Sequence, residues 1–365
     1  MRHAVAALAR RLIVAALGLA LPTMAAPFQI EAERMFGPPQ ASARIEVLST
    51  TDIAIFAPVI EGFLKRNPDL GVHYVVASSQ EIHQAIGREG AAFDLVISSA
   101  MDLQMKLAND GLARAVPPDQ IAATGAVLPD WAHWRDLVFA VAQEPVVLLI
   151  APDALAGGLP VPHSRRDLIA LLRDHPERFR GRIGTYDPVI SGAGYLFAAQ
   201  DARISDSFWR LAEVMGRLDL KLYCCSGDMI ADIRAGRLLL AYNVLGSYAL
   251  ARQPTGGAAG GADTSAGKPE VIELEDFTLT LLRTALVPQT APDPARGALL
   301  LGFLMSPEGQ RLIGEAAGLP PIDAEAFAAH PHLRPIRLDP GLLAHLDRLT
   351  RSRFLGEWQA AMDQP

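Results

Sequence analysis

The chain has 365 residues, half of them hydrophobic, with 33 Lys and Arg against 40 Asp and Glu and a formal charge of −7. That acidic balance, without a basic stripe to neutralise phosphates, argues against a nucleic-acid partner. The two cysteines, Cys224 and Cys225, are adjacent. Neighbouring Cα atoms lie ~3.8 Å apart against the ~4.4–6.8 Å usual across a disulfide, so an ordinary staple is excluded. A strained vicinal disulfide and two free thiols both stay open, and no His or Cys stands near them at zinc-ligand spacing.

In chain order, residues 1–26 read as a targeting segment. Arg2, Arg10 and Arg11 precede the apolar run from Leu12 to Leu21, and Thr23-Met24-Ala25-Ala26 offers small residues for cleavage. The expectation is an exported protein cut after Ala25, which removes three Arg and no acid and takes the charge to −10. Later apolar runs are interrupted, Val138 to Ala151 by Gln143, Glu144 and Pro145, and Leu238 to Ala251 by Tyr242, Asn243 and Ser247, so both read as buried core. About 340 residues remain, enough for roughly two domains.

Ile45, Val47 and Leu48 form a short apolar strand, Ser49-Thr50-Thr51-Asp52 a polar turn, and Ile53, Phe56, Ile60 and Phe63 recur at helical spacing. The unit repeats: Val72 to Ala77, then Ser78-Ser79-Gln80-Glu81 with the spacing of a capping box, then Ile82, Ala85 and Ile86. It repeats again with Phe93 to Ile97, Ser98-Ser99-Ala100, and a helix from Met101 to Asn109. Such units predict a parallel sheet wound with helices, with ligands beyond the carboxyl ends of its strands. Trp131 and Trp134 read as core aromatics.

Val146 to Ile150 reads as a strand crossing into a second lobe. There Gly181 to Pro188 is a strand leaving into a turn, and Ser191-Gly192-Ala193-Gly194 opens a helix, its small residues letting backbone approach a ligand. Lys221 to Cys224 is a strand followed by Cys225-Ser226-Gly227-Asp228 and a helix; alternation places Cys225 toward the cleft and Cys224 toward the core. Leu238 to Ala241 is a strand ending at Tyr242-Asn243. The stretch Pro254 to Lys268 reads as a flexible insertion. Phe277 to Val287 is the returning strand, and Leu342 to Leu349 and Phe354 to Met362 are closing helices.

The wording L-S-T-T-D at 48–52, D-L-V-I-S-S-A-M-D-L at 94–103, G-T-Y-D-P at 184–188, L-Y-C-C-S at 222–226, A-Y-N-V-L-G-S-Y at 241–248 and S-P-E-G-Q at 306–310 carries a resemblance. It resembles a periplasmic solute-binding protein of the type II fold, in the branch of ferric-ion, hexose-phosphate and phosphoglycerate binding proteins, nearest the phosphoglycerate-type regulatory members. The implied fold is α/β and two-lobed, each lobe a mostly parallel sheet flanked by helices, joined by two crossing strands. The implied division is 43–145 for the first lobe, 146–278 for the second with the insertion at 254–269, and 279–365 returning to the first lobe. The implied partners are a small anionic ligand and an inner-membrane ABC permease or sensor histidine kinase, with no cofactor.

Ferric members of that branch hold iron with His, Glu and two consecutive tyrosines. Here those places carry Thr50-Thr51-Asp52, Ser98-Ser99-Ala100 and Tyr242-Asn243, a poor set for a hard cation. Hydroxyls and helix N-termini suit a phosphate or carboxylate instead. The expected ligand-binding residues are Ser49, Thr50, Thr51, Asp52, Ser98, Ser99, Ala100 and Met101 from one lobe. Ser191, Gly192, Ala193, Gly194, Cys225, Ser226, Asp228, Tyr242 and Asn243 come from the other. Asp52 and Asp228 cap their own helices or accept from ligand hydroxyls. Catalysis is not expected: Ser98, Ser99, Ser191 and Ser226 lie outside any nucleophile elbow, and His73, His83 and His163 cannot be paired with them.

Overall fold

The computed structural model describes residues 27–126, 129–250, 268–323 and 325–363. The targeting segment and nearly all of the 254–269 insertion lie outside the described residues. The first lobe is built from β1 (Ala32–Phe36), β2 (Ala43–Ser49), α1 (Ile53–Arg66), β3 (Leu70–Val76), α2 (Ser79–Gly87), β4 (Leu95–Ser98) and α3 (Met101–Asn109). Strand β2 lies between β3 and β4, parallel to both. Ile45, Val47 and Leu48 are fully buried, which is why this strand reads as an apolar run rather than an alternation. Strand β1 escaped the sequence reading. It is an antiparallel edge on β3 with four exposed residues in five, and its Glu33 and Arg34 suit an edge that must not pair further.

Short elements follow: β5 (Ala113–Arg114), α4 (Pro118–Ala122) and β6 (His133–Trp134). Trp131 and Trp134 are partly buried against the main core, as expected. Then β7 (Val138–Ile150) runs through both lobes. Pro145 does not end this strand. It sits where β7 stops pairing with the returning strand, at Thr280, and begins pairing with the second-lobe strand at Val146, and such a switch tolerates a residue without an N–H.

The second lobe holds α5 (Arg165–Asp174), α6 (Pro176–Phe179), β8 (Ile183–Tyr186), α7 (Gly192–Ile204), α8 (Phe208–Gly216), β9 (Lys221–Tyr223), α9 (Ser226–Arg234), β10 (Leu240–Leu245), α10 (Gly246–Leu250) and β11 (Glu270–Ile272). Strand β8 is parallel to β9 and β10, while β10 is antiparallel to β7. The return strand β12 (Thr278–Pro288) pairs antiparallel with β7 and β4. One continuous strand order, β1-β3-β2-β4-β12-β7-β10-β8-β9, therefore crosses the molecule.

Helices α11 (Pro294–Met305) and α12 (Pro307–Glu315) complete the first lobe; α13 (Ala326–Ala329), β13 (Leu333–Pro335), a 3-10 turn at Pro340–Leu346 and α14 (Arg348–Met362) close the chain. The two closing helices expected from sequence are thus a 3-10 turn and one long helix. Nor does the end of the chain return to the first lobe. Trp358 and Ala361 are buried with Ala198, Phe208 and Ala212 of α7 and α8, because their apolar face finds its match on the second lobe.

Candidate ligand-binding cleft

A cavity of about 740 Å³ opens between the lobes. Its wall gathers the N-termini of five helices: Thr50 and Asp52 before α1, Ser78 and Ser79 at α2, Ser99 before α3, Ser191 and Ala193 at α7, and Cys225, Ser226, Gly227 and Asp228 at α9. Ser78 and Ser191 cap α2 and α7, accepting from the N–H of Glu81 and Gly194. Helices α1, α3 and α9 begin with no side-chain oxygen cap at the N-cap position. At α3 the Asp102 carboxyl accepts from the N–H of Leu103, and at α9 Cys225 accepts from the N–H of Asp228.

At the hinge of the cleft stands Arg283, which the sequence reading passed over inside an apolar strand. Its Nε donates to Glu144 Oε1 at 2.7 Å, and its Nη1 donates to Thr51 Oγ1 at 2.7 Å and Thr50 Oγ1 at 3.2 Å. Ser247 Oγ donates to the other Glu144 oxygen. Arg283 and Glu144 are both fully buried, one on each crossing strand. The third nitrogen, Nη2, has no hydrogen-bond partner among the described residues. Arg283 is thus a buried guanidinium among the residues that line the cavity, with one charge-assisted hydrogen bond unmade.

The first-lobe turns are locked around this group. Thr50 Oγ1 accepts from the N–H of Ser99 and donates to Ser99 Oγ, Ser49 Oγ accepts from the N–H of Thr51, and Ser98 Oγ accepts from the N–H of Ala100. Tyr74 donates from beneath to the Thr51 carbonyl at 2.9 Å. Ser49, Thr51, Ser98, Ala100 and Met101 are buried, and it is Thr50, Asp52 and Ser99 of this set that line the cavity.

In the second lobe, Tyr186 and Ser226 share a 2.6 Å hydrogen bond, and Ser226 Oγ also accepts from the N–H of Leu245. The glycines act differently from expectation. A Cβ on Gly192 would stand 2.7 Å from Ser79 Oγ and 2.8 Å from Leu103 of the first lobe, and one on Gly194 would stand 2.5 Å from Tyr186 Cβ. They permit lobe-to-lobe and helix-to-strand approach, and the Gly192 N–H donates across the cleft to Ser79 Oγ at 3.1 Å.

Tyr242 and Asn243 do not line the cavity. Strand β10 continues to Leu245 through a bulge between Ala241 and Val244, with Asn243 at φ 62°. The Tyr242 hydroxyl donates to Asp201, which is also held by Arg165 Nε at 2.9 Å. Burial first, and then this neighbouring Asp201 carboxylate, hold the phenol well above its usual range. The strand's true end brings Leu245 and Tyr248 to the cleft instead, and nothing local marks the four extra strand residues apart from a turn at Tyr242-Asn243.

Cys224 does not point into the core. Strand β9 ends at Tyr223, so alternation lapses, and both thiols are free, exposed and on the cavity wall. Cys225 Sγ lies 3.2 Å and Cys224 Sγ 3.6 Å from Asp228 Oδ2. Asp52 occupies the N-cap position of α1 without accepting a cap hydrogen bond. Gln29, Ile30 and Glu31, which precede β1, complete the rim with Gln80 and Glu81.

Two α/β lobes joined by two crossing strands, with a polar cleft walled by helix N-termini, define a solute-binding protein of the periplasmic type II fold. The family model described as bacterial extracellular solute-binding protein matches residues 45–319, and the chain belongs to that family. The substrate binding protein of an ABC transporter from Agrobacterium tumefaciens is similar, with 31% identity, a TM-score of 0.82, and coverage of 92% of this chain and all of that one. The periplasmic binding protein AfuA from Actinobacillus pleuropneumoniae, solved with exogenous fructose-6-phosphate, shares the fold at 15% identity and TM-score 0.67, over 89% of this chain and all of its own. Iron-bound HitA from Pseudomonas aeruginosa shares it at 18% identity and TM-score 0.60, over 88% and 97% of the two chains. No curated protein matches the chain significantly. Among the described residues, no helix is long and apolar enough to cross a membrane.

Proposed function

We propose that this protein is exported to the periplasm by its N-terminal signal and captures a small phosphorylated or carboxylated organic anion between its lobes. The observation that carries this reading is Arg283: a fully buried guanidinium on the cavity wall with Nη2 unpartnered. The acid group sits against Arg283, Thr50 and Ser99, within reach of the uncapped starts of α1 and α3. From the other lobe Ser191, Ser226 and the start of α9 close on the ligand. Each exposed helix terminus contributes ~0.3–1 kcal/mol toward an anion and up to ~2 when partly buried. The closed protein then delivers its ligand to an ABC permease, or signals to a sensor kinase in the manner of the phosphoglycerate-type members.

The test is a thermal-shift screen of phosphorylated and carboxylated metabolites, since a ligand at ~100 times its Kd adds ~2.7 kcal/mol to the native state. Stabilisation by organic acids that falls in Arg283→Lys, which keeps a cation beside Glu144, supports the reading; stabilisation that this variant leaves unchanged overturns it. A ferric-ion reading has one observation in its favour, the carboxylates Glu31, Asp52, Glu81 and Asp228 with Tyr186 and Tyr248 on the wall. It cannot use Tyr242, whose hydroxyl is committed to Asp201. A coloured protein that loses its visible band in Tyr248→Phe would establish iron instead.

A further inference from the structure

The charges of the cavity are unevenly distributed. One guanidinium, Arg283, stands on its wall and is already matched from behind by buried Glu144, while Glu31, Asp52, Glu81 and Asp228 place four carboxylates on the same wall. Glu81 is engaged by the Gln29 N–H at 2.8 Å. Asp52 makes no helix cap and is answered in part by the Arg283 charge and the Tyr248 hydroxyl, while Asp228 meets two thiols, which are weak donors. Glu31 and Asp52 belong to the first lobe and Asp228 to the second, so closing the lobes brings like charges together. Burial first, and then Asp52 and Asp228, push the Glu31 carboxyl up. A ligand bearing only negative charge would leave this repulsion in place and add to it.

From this geometry, and resting on the anion reading above, we infer that the ligand is a zwitterion. Its acid group meets the idle Nη2 of Arg283, and a protonated amine lies between Asp52, Asp228 and Glu31. The amine converts three opposed carboxylates into a clamp, and it supplies a reason for the lobes to close on the correct solute and on no simple anion. Ligand hydroxyls would donate the same hydrogen bonds but leave the carboxylate charge unanswered.

Titration calorimetry on the purified protein with matched pairs tests this: phosphoethanolamine against ethyl phosphate, and γ-aminobutyrate against butyrate, with glycerol 3-phosphate carrying hydroxyls in place of the amine. The amine-bearing member of at least one pair is expected to bind about tenfold tighter or more, as a charge-assisted contact requires, and Asp228→Asn should shrink that ratio. Because the ratio is the readout, general weakening of the variant does not mimic the result. If the amine-free or hydroxylated compound binds as tightly, and Arg283→Lys weakens its binding about tenfold or more, the zwitterion inference is wrong and the anion reading stands. Binding that Arg283→Lys leaves unweakened overturns the anion reading itself, and binding by none of the five compounds at millimolar concentration overturns both.

Discussion

Glu144 and Arg283 are the single acid and the single base of the two crossing strands, each otherwise uncharged, and the pair is fully buried. Removing one member of such a pair strands the other and costs ~3–5 kcal/mol, so a truncation at either site tests folding as much as binding. Arg283→Lys separates the two. The ammonium keeps the charge beside Glu144 but not the fork that also reaches Thr50 and Thr51. We expect Arg283→Lys to fold and to bind organic acids roughly tenfold more weakly or worse, since a hydrogen bond to a charged group contributes ~1.5–3 kcal/mol; calorimetry together with a melting curve checks both halves. A different buried group gives a pH signature. Burial raises Asp102 to about 7, its Oδ1 has no partner among the described residues, and Arg351 is the nearby charge that pulls the other way. The native state therefore holds a proton between about pH 4 and 7 that the unfolded chain has released, and stability falls as pH rises through that window. Asp102→Asn should melt higher than the parent at pH 8, by several degrees, and the gap should narrow as pH falls through the window and close at about pH 4. The hydroxyl turns were legible because strand, polar turn and helix repeat within one local stretch. Arg283 was not, although its signal was present: one charge of each sign in two buried strands that are otherwise uncharged must be partnered, and the partner was the other strand's charge.

At the level of elements, the helix starts were easier to place than the strand ends. Helix α7 opens at Gly192 with Ser191 as its cap, close to expectation, because small residues followed by helical spacing fix a start locally. Strand β10 was cut short by four residues, since nothing local distinguishes Tyr242-Asn243 at a bulge from the same pair at a strand end, and this displaced the expected site from Tyr248 to Tyr242. Strand β1 showed no alternation at all, because an edge with four exposed residues has no apolar face to reveal. The glycine at the start of α7 is a contact between lobes, and that contact can be tested. A side chain at position 192 would run into Ser79 Oγ and Leu103, both in the first lobe. Gly192→Val should therefore leave each lobe folded while disfavouring their apposition. If the closed fraction falls tenfold, apparent affinity falls about tenfold with it. Equal affinity in calorimetry would show that the apposition does not contribute to binding.

Three segments span the lobes of the whole molecule: β7, β12 and the C-terminal stretch, whose 3-10 turn buries Leu342 in the main core while α14 lies on α7 and α8. Which lobe receives α14 was not legible, because an amphipathic face records that a partner exists and not which one. Two antiparallel strands joined along Phe139 to Pro145 and Thr280 to Ala285 can bend but resist twist, so the accessible motion is a hinge that opens and closes the cavity. The contact between the lobes includes hydrogen bonds from the Gly192 N–H to Ser79 Oγ and from the Asp52 N–H to the Tyr248 hydroxyl, with close packing on Leu103 and Ala100. Against it stand carboxylates on both lobes, Asp52 and Glu31 with Asp228. We expect the lobes to open without a ligand and to take the arrangement described here with one bound between Arg283 and the opposing helix starts. Small-angle scattering should accordingly give a larger radius of gyration for the ligand-free protein than for the closed structure, with contraction when a ligand identified by thermal shift is added. Gly192→Val should contract less at the same saturation. A radius unchanged by a ligand that calorimetry shows to be bound refutes hinge closure, and equal contraction of parent and variant removes the Ser79–Gly192 contact from the mechanism.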